Sequence, residues 1–557
     1  FAKANAAGTD DPRPLAATSF LKALAYNEKP LIGAVDGIAV GVGTTMLFHC
    51  DYVLASTTAT FSTPFIHLGL VPEAASSLLA PRVMGYQRAF AMLVMGRTVS
   101  AEEAREAGFV NAVVAPGHTE VEARKIAREI AALPKDAVAL TRKLLKPARE
   151  DILRRMDEDA EIIMFERGPY VSFANCGLPY HLSATIPQRE QLLVTSAEDL
   201  KGMLNIDARV NSEVIQIDRP AKTVTVRETD SGRQYQESYD KLVLAPGAVP
   251  VVPPLPGVDL PGVFVLHNIP ELDQIEAWIA AHPIRQVVVI GGGFIGLEVA
   301  ENLVEKGMHV ALVEMLNQVM PVVDAEIAAD VHLQLALHQV ELHLGEGLRA
   351  ISAGESSLRV GLTSGNTLDA DLVILAIGVR PETALAKAAG LQLGPRGHII
   401  TDDHMRTSDA DIYAVGDAVQ VTSLLTGEAT ALALAGPASR EARVAADNIA
   451  GRDMVFRGTQ GTSVVKAFDL TVASTGLSSK QLREAGLPFN SVITHNNNHA
   501  SYYPGASPIQ LKLLFGPQGQ IYGAQATGSE GVDKRIDVIA TAIRAGQTTF
   551  DLEELEL

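Results

Sequence analysis

The sequence predicts an α/β protein of several domains, and three observations carry that expectation. From about residue 150 onward, short β-type runs alternate with helical stretches, at 161–165, 223–226, 241–244, 287–290, 310–313 and 372–375, which implies parallel sheets. At 287–303 a buried strand leads straight into a glycine turn and a helix start. The length, 557 residues, allows three or four domains at roughly 150 residues each.

Composition narrows the classes. Apolar residues make up 47% and charged ones 20%, as in folded protein rather than a disordered chain. Lys and Arg number 46 against 65 Asp and Glu, a net charge of -19. That balance argues against nucleic acid, whose phosphates need a surplus of cations, and an anionic small substrate would need a local basic pocket. Two cysteines cannot build a disulfide framework, so a reducing cytoplasm is the default. No signal-peptide pattern opens the chain, and both ends look cut. The longest apolar run, 31–48, contains Asp36 and Gly33, Gly37, Gly41 and Gly43. A membrane span is disfavoured there, since an aspartate at mid-bilayer costs about 3 kcal/mol.

Residues 1–150 are Ala-rich and helical, with patterns at 101–108 and 120–133. The proline-rich stretch 250–257 is a stiff connection between lobes. From about 461 strands return with aromatic and Asn-rich loops, predicting a final α+β domain.

In the run 287–303, Gly291, Gly293 and Gly296 have the Gly-x-Gly-x-x-Gly spacing. The first permits a tight turn, the second lets backbone approach a pyrophosphate, and the third lets helix pack on strand. The helix N-terminus then offers N–H groups and its dipole to phosphate. A second strand ends in Glu314, about 20 residues on, where a carboxylate holds a ribose 2′-hydroxyl and repels a 2′-phosphate. The segment predicts a site for NAD(P)H, with NADH favoured.

Residues 407–417 (Thr-Ser-Asp-Ala-Asp-Ile-Tyr-Ala-Val-Gly-Asp) read as a strand feeding a turn at Gly416, with Asp417 at its exit beside a helix N-terminus. Such an aspartate either caps a helix or accepts from a ribityl hydroxyl of a flavin. Together with 244–250 (Leu-Ala-Pro-Gly-Ala-Val-Pro), 376–381 (Ala-Ile-Gly-Val-Arg-Pro) and the glycine fingerprint, it resembles the two-dinucleotide-fold flavoprotein disulfide reductases. The resemblance implies FAD as a second cofactor, bound by Ala245, Gly247, Gly378, Gly416 and Asp417.

Members of the glutathione-reductase type use a pair of nearby cysteines, whereas Ser172-Phe-Ala-Asn-Cys-Gly-Leu-Pro-Tyr180 holds one, Cys176. This run is similar to coenzyme A-disulfide reductases and their relatives, the CoA-dependent NADH oxidases and persulfide or polysulfide reductases. The resemblance implies Cys176 as the redox centre, flanked by Ser172 and Asn175, with electrons running from NADH through FAD to a Cys176–CoA mixed disulfide. Coenzyme A in disulfide or persulfide form would be the substrate. The thiolate is the competent form and a free cysteine titrates near 8.5, so the thiol needs help. A loop entering a helix at 175–179 would bring the sulfur near a positive dipole end. The bland alternative for Cys176 is a small buried hydrophobe, which is the reading for Cys50.

The resemblance spans 154–557. It puts Glu166, with Arg167 beside it, at the end of the second strand of the FAD fold, on the adenosine ribose. It puts Arg155 on the CoA phosphates. Residues 499–505 (His-Ala-Ser-Tyr-Tyr-Pro-Gly) match a dimerisation-domain loop, so Tyr502 or Tyr503 would approach the other subunit's cysteine in a homodimer; ordinary packing is the alternative. Two departures stand out. The family's FAD fold opens with its own strand, glycine turn and helix just before the residues matching 153–160, and nothing in 1–152 supplies them. A second C-terminal tyrosine, usual in the family, is absent.

Residues 30–46 and 96–111 resemble the crotonase (enoyl-CoA hydratase/isomerase) superfamily. There the turn at Gly41 and Gly43 would present the Val42 N–H to a thioester oxygen, as half of an oxyanion hole. The other half would lie before Phe1. Thr45 and Phe65 stand where hydratases carry paired glutamates, so hydration is disfavoured. Residues 63–77 are similar to Δ3,Δ2-enoyl-CoA isomerases, whose proton-shuttling glutamate matches Glu73; a helix-start glutamate is the alternative. The two resemblances meet within 147–160, a stretch plausible for both parents, which suggests a recombined join.

The fold expected is therefore α/β. A crotonase-like ββα fragment (1–150) precedes two Rossmann-like dinucleotide folds, for FAD (151–277 and 396–455) and NAD (278–395), and an α+β dimerisation domain (456–557). The function expected is FAD-dependent, NAD(P)H-driven reduction of CoA disulfide or a related persulfide or polysulfide by a cytoplasmic homodimer. The alternatives are an enoyl-CoA isomerase-like activity or a chimera that binds nucleotide or CoA without turnover. No nucleic acid, membrane or metal is expected.

Overall fold

The computed structural model describes residues 29–68, 76–135, 138 and 161–555. Glu73, Arg155 and the stretch 147–160 lie outside the described residues. The chain divides into two compact units, Phe1–Ala160 and Glu161–Leu557.

In the first unit the apolar run at 31–48 folds as strands Ile32–Val35 and Ile38–Val40, a one-turn helix Val42–Thr45 and a 3-10 turn Met46–His49. Gly37 separates the two strands, and Gly41, at φ +58°, turns the chain from strand into helix. Ile32–Val35, Tyr52–Ser56 and Ala112–Val114 form a parallel sheet, and Ile38–Val40, Thr60–Ser62 and Val99–Ser100 form a second sheet. Phe109 fills the core, with ring centroids 5.4 Å from Phe48 and 5.2 Å from Phe61. Helix Ala101–Ala107 starts with a reciprocal cap between Ser100 and Glu103 and ends at Gly108, left-handed at φ 90°. Among the described residues no helix is long and apolar enough to cross a membrane.

The second unit is built around a five-stranded parallel sheet ordered Val263–Phe264, Leu372–Leu375, Gln286–Ile290, His309–Glu314, Glu341–Leu344. Its central strands are buried on both faces, which explains their unbroken Val, Ile and Leu runs. Helices Ile269–Ala281, Phe294–Glu305 and Ala325–Leu337 accompany it. In the expected FAD region the described residues contribute two parallel strand pairs. Ile162–Phe165 pairs in parallel with Ile206–Arg209, and Leu242–Leu244 with Ile412–Ala414, as two separate two-stranded ribbons.

A five-stranded antiparallel sheet closes the unit, ordered Ser463–Ala467, Leu470–Gly476, Ile521–Gly528, Pro508–Phe515, Asn490–Asn497, with helix Val532–Ala545 packed on it. A buried ion pair ties this sheet to the nucleotide fold. Lys512, 3% exposed, lies 2.9 Å from Asp324 and 3.1 Å from Glu326. Asp324 sits at the start of helix Ala325–Leu337 and also accepts from the Ser479 hydroxyl at 2.7 Å and the Gln525 amide at 3.2 Å. Burial acts to raise the Asp324 carboxyl, but Lys512 and Ser479 outweigh it and hold it below the usual range.

Lys512→Met leaves that carboxylate buried without its cation, so it should cost about 3–5 kcal/mol in urea denaturation at pH 7. Because the carboxyl is depressed in the folded chain, its stabilisation is present above the ordinary aspartate value near 3.9 and lost as pH falls through the lowered one. The difference between wild type and variant should therefore shrink when the denaturation is repeated at progressively lower pH.

Candidate functional site

The three fingerprint glycines do three different jobs. Gly291 holds φ at +112°, and a Cβ there would lie 2.3 Å from the Ala376 carbonyl oxygen. A Cβ on Gly296 would lie 1.9 Å from the Gly291 carbonyl oxygen, so only hydrogen lets helix Phe294–Glu305 sit down on its strand. Gly293 is the reverse: a Cβ there meets nothing within 4 Å, and it caps the helix with no side-chain bond. That end of the helix, with its N–H groups, opens onto space of the kind a pyrophosphate fills. Glu314 is held at the lip, its carboxylate accepting from the Gly292 amide at 2.7 Å and the Leu316 amide at 2.8 Å. The residues present fit a dinucleotide.

A second cradle forms where Leu242–Leu244 and Ile412–Ala414 end side by side. Ala245 follows the first strand and Gly416 and Asp417 the second, with the Val415 amide bonded to the Leu244 carbonyl at 3.0 Å. Strand Val379–Pro381 pairs antiparallel with Ala248–Pro250, so the ribbon runs from Gly247, whose carbonyl accepts from the Glu382 amide at 3.0 Å, to Gly378, whose carbonyl accepts from the Val251 amide at 2.9 Å. Both glycines have positive φ, and a Cβ on either would meet nothing within 4 Å. Asp417 lies in a short 3-10 turn, Gly416–Ala418; helix Ala435–Ile449 supports the turn, its Glu441 accepting from the Gly416 amide at 2.8 Å. Burial pushes the Asp417 carboxyl up, with His267 opposing. A half-buried carboxylate beside an open glycine cradle fits the ribityl side of FAD. Glu166 follows strand Ile162–Phe165 and accepts from the Gly168 amide at 2.7 Å, with Arg167 exposed beside it.

Cys176 is exposed in a 3-10 turn, Asn175–Gly177, that runs into helix Leu178–Leu182. Ser172 is on a short strand leading to it, and Asn175 is adjacent. The expected lowering of the thiol by a helix dipole is not what the surroundings give. The helix has only five residues, and burial, then the nearby Glu298 carboxylate, push the thiol up. The sequence reading missed Glu298, together with Tyr180, Glu301 and Lys466 around it. Their signal was available: Glu298 and Glu301 stand three residues apart, and so on one face, of the helix that begins at the glycine turn.

Tyr502 and Tyr503 stand at the tip of the hairpin between Asn490–Asn497 and Pro508–Phe515, 89% and 65% exposed. In the first unit, Val42 opens its one-turn helix just after Gly41, while Thr45 and Phe65 are buried. Cys50 is half-buried against that core. One cluster has metal-ligand composition, Asp402, Asp403 and His404, but both ring nitrogens of His404 already meet carboxylates, Asp403 at 2.7 Å and Asp453 at 2.8 Å.

Comparison with known proteins places these features. Residues 150–442 match the family model of the pyridine nucleotide-disulphide oxidoreductases, and 462–555 match that family's dimerisation domain. Residues 7–169 match the enoyl-CoA hydratase/isomerase model, so the two models overlap across the stretch where the resemblances meet. Coenzyme A disulfide reductase of Staphylococcus aureus is 34% identical over 407 residues, 73% of this chain and 91% of that protein. Among solved structures, reduced Bacillus anthracis CoADR-RHD is 49% identical with a TM-score of 0.71, covering 73% of both chains. The NAD-dependent persulfide reductase from A. fulgidus is 37% identical with a TM-score of 0.70, covering 73% of this chain and 76% of that one.

Two glycine substitutions separate binding from folding. Gly296→Ala drives a methyl into the Gly291 carbonyl and should lower the melting temperature by several degrees, since strain of this kind costs about 1–3 kcal/mol. Gly293→Ala adds a methyl only to open space, so its melting temperature should match wild type while NADH affinity in isothermal titration falls about tenfold or more.

Proposed function

The chain belongs to the pyridine nucleotide-disulphide oxidoreductase family, and on that premise we propose that it reduces CoA disulfide or a related persulfide with NADH, through FAD and Cys176. The observation that carries the reading is the exposed thiol of Cys176, just before a short helix that packs on the helix of the dinucleotide turn, in a chain whose relatives are named for CoA-disulfide and persulfide reduction.

The residues then have these parts. Gly291, Gly293 and Gly296 with the following helix end hold the NADH pyrophosphate, and Glu314 takes the ribose 2′-hydroxyl. Ala245, Gly247, Gly378, Gly416 and Asp417 hold the ribityl side of FAD, and Glu166 with Arg167 its adenosine end. FAD, when bound, supplies the two-electron link between nicotinamide and sulfur. Cys176, as thiolate, attacks a disulfide sulfur; the Cys176–S–S–CoA bond forms and one CoA thiolate leaves. With no second cysteine beside it, the oxidised state is a mixed disulfide. Ser172 and Asn175 shape the turn, Arg155 meets CoA phosphate, and Tyr502 or Tyr503 reaches the other subunit's thiol in a homodimer. Two cysteines and a thiol chemistry suit a reducing cytoplasm. The crotonase-like unit keeps the Val42 turn, and any isomerase activity rests on Glu73.

Cys176→Ser should abolish NADH oxidation driven by CoA disulfide while NADH still bleaches the flavin absorbance of the loaded protein. CoA-disulfide reduction by the serine variant at near the parent rate overturns the reading. NADH should outperform NADPH in kcat/KM by about 5- to 100-fold, the cost of an unmet buried polar group being about 1–3 kcal/mol. Crotonyl-CoA hydration should be undetectable, because Thr45 and Phe65 bring no carboxylate.

A further inference from the structure

Between strand His309–Glu314 and helix Ala325–Leu337 the chain runs through 315–323 without regular structure, and this connection lies directly on the dinucleotide turn. The Met320 amide donates to the Gly292 carbonyl at 2.8 Å. The Val319 side chain packs on Gly292 so closely that a Cβ there would lie 2.9 Å from Val319 Cγ1. Gly292 in turn gives its amide to Glu314, whose other oxygen takes the Leu316 amide. Connection, turn and carboxylate are thus one bonded assembly, and whatever fixes 315–323 also fixes Gly292 and Glu314.

Most bonds that hold 315–323 do not respond to pH. Gln318 Nε2 donates to the Val323 carbonyl at 2.9 Å, the Val323 amide to the Met320 carbonyl at 3.1 Å, and the Gly345 amide to the Leu316 carbonyl at 2.9 Å. One bond is different. The amide of Val319, a fully buried residue, donates at 3.1 Å to Nε2 of His332 on helix Ala325–Leu337. To accept, Nε2 must be bare, so the ring is neutral with its proton on Nδ1. A protonated ring has two donors and no acceptor, and would leave the buried amide unpaired. Burial alone pushes the His332 ring down, which favours the neutral form in the fold. The charged groups on the elements around it have other neighbours. Glu341 and His343 of strand Glu341–Leu344 lie 2.9 Å apart, and Lys466 of Ser463–Ala467 lies 3.4 Å from Glu301. Strand Ile521–Gly528 brings only the phenol of Tyr522, and 315–323 bring no charge. On the helix itself Glu326 meets Lys512 and Asp330 accepts from the Thr527 hydroxyl at 2.6 Å, while His338 just past its end stacks on Phe468.

We propose that His332 is a positioning residue of the dinucleotide site: by accepting from the Val319 amide it holds 315–323 down on Gly292, and its protonation in acid releases that segment and weakens dinucleotide binding. The inference rests on the reading of this turn as the NADH site and deepens it. The sign follows from the neutral ring that the bond requires. Its contribution is complete above the ordinary histidine value of about 6.5 and is lost as pH falls below it toward the lowered value in the fold. Cys176 lies on another element, so the effect belongs to nucleotide loading and not to thiol exchange.

The test titrates the full chain, supplied with FAD, with ADP-ribose in a calorimeter. This probe carries the pyrophosphate and adenosine ribose of NADH without its acid-labile dihydropyridine. From pH 7.5 to 5.5 wild type should lose about five- to tenfold in affinity, the scale of one unmet buried amide. His332→Gln puts a non-titrating acceptor where Nε2 stands, so it should bind within about threefold of wild type at pH 7.5 and stay flat to pH 5.5. His332→Leu brings no acceptor and should be about five- to tenfold weak at both pH values. A merely structural histidine would give no such rescue by glutamine and no loss of the pH profile. Hydrogen exchange of the peptide containing Val319, corrected for the intrinsic rate at each pH, reads the same bond without nucleotide. It should quicken in acid in wild type and not in His332→Gln. Parallel loss of ADP-ribose affinity in wild type and His332→Gln, or wild-type binding by His332→Leu at pH 7.5, overturns the proposal. If ADP-ribose binds no form while exchange at Val319 still follows His332, the NADH reading fails and the lock on 315–323 stands; if exchange does not follow it, the lock falls too.

Discussion

The close contact of Gly296 with the Gly291 carbonyl governs most of what this chain can do. It seats helix Phe294–Glu305 directly on the central strand, and that one placement has two consequences. The end of the helix opens toward the space beside Gly293, where phosphate is recognised by N–H groups and dipole. Its side, a turn later, carries Glu298 to Tyr180 of the short helix that follows Cys176 and Glu301 to Lys466 of strand Ser463–Ala467. Nucleotide recognition and thiol chemistry therefore share a single rigid element, and a shift of that helix would disturb both.

Two ion pairs with buried members stand in contrast. Lys512 and Asp324 fasten the C-terminal sheet to the nucleotide fold, each satisfied by further hydrogen bonds. Glu301 is the less settled case: its cation is half in solvent and one oxygen has no partner among the described residues. A fully satisfied network holds a structure; a partly satisfied one keeps a neighbouring group easy to protonate. The contrast separates the anchoring pair from the group beside the thiol.

Much of this was legible in the sequence because it is local. The strand, glycine turn and helix at 287–303 are one continuous piece of chain, and the role of each glycine follows from spacing alone. The one-cysteine run around Cys176 was equally plain. What escaped depends on contacts between distant segments. Tyr180 and Glu298 lie 118 residues apart, and Glu301 and Lys466 165 apart, so no local pattern joins them. The dipole expectation for Cys176 failed for a related reason, since the helix is too short, and burial followed by a carboxylate from a distant segment pushes the thiol the other way.

The central claim is that Cys176 alone carries the exchange with coenzyme A, and intact-mass analysis of the flavin-loaded protein after incubation with CoA disulfide tests it most directly. A single CoA adduct that maps to Cys176 and is removed by dithiothreitol is the expected result. A Cys176 that stays unmodified while CoA disulfide is consumed would contradict it.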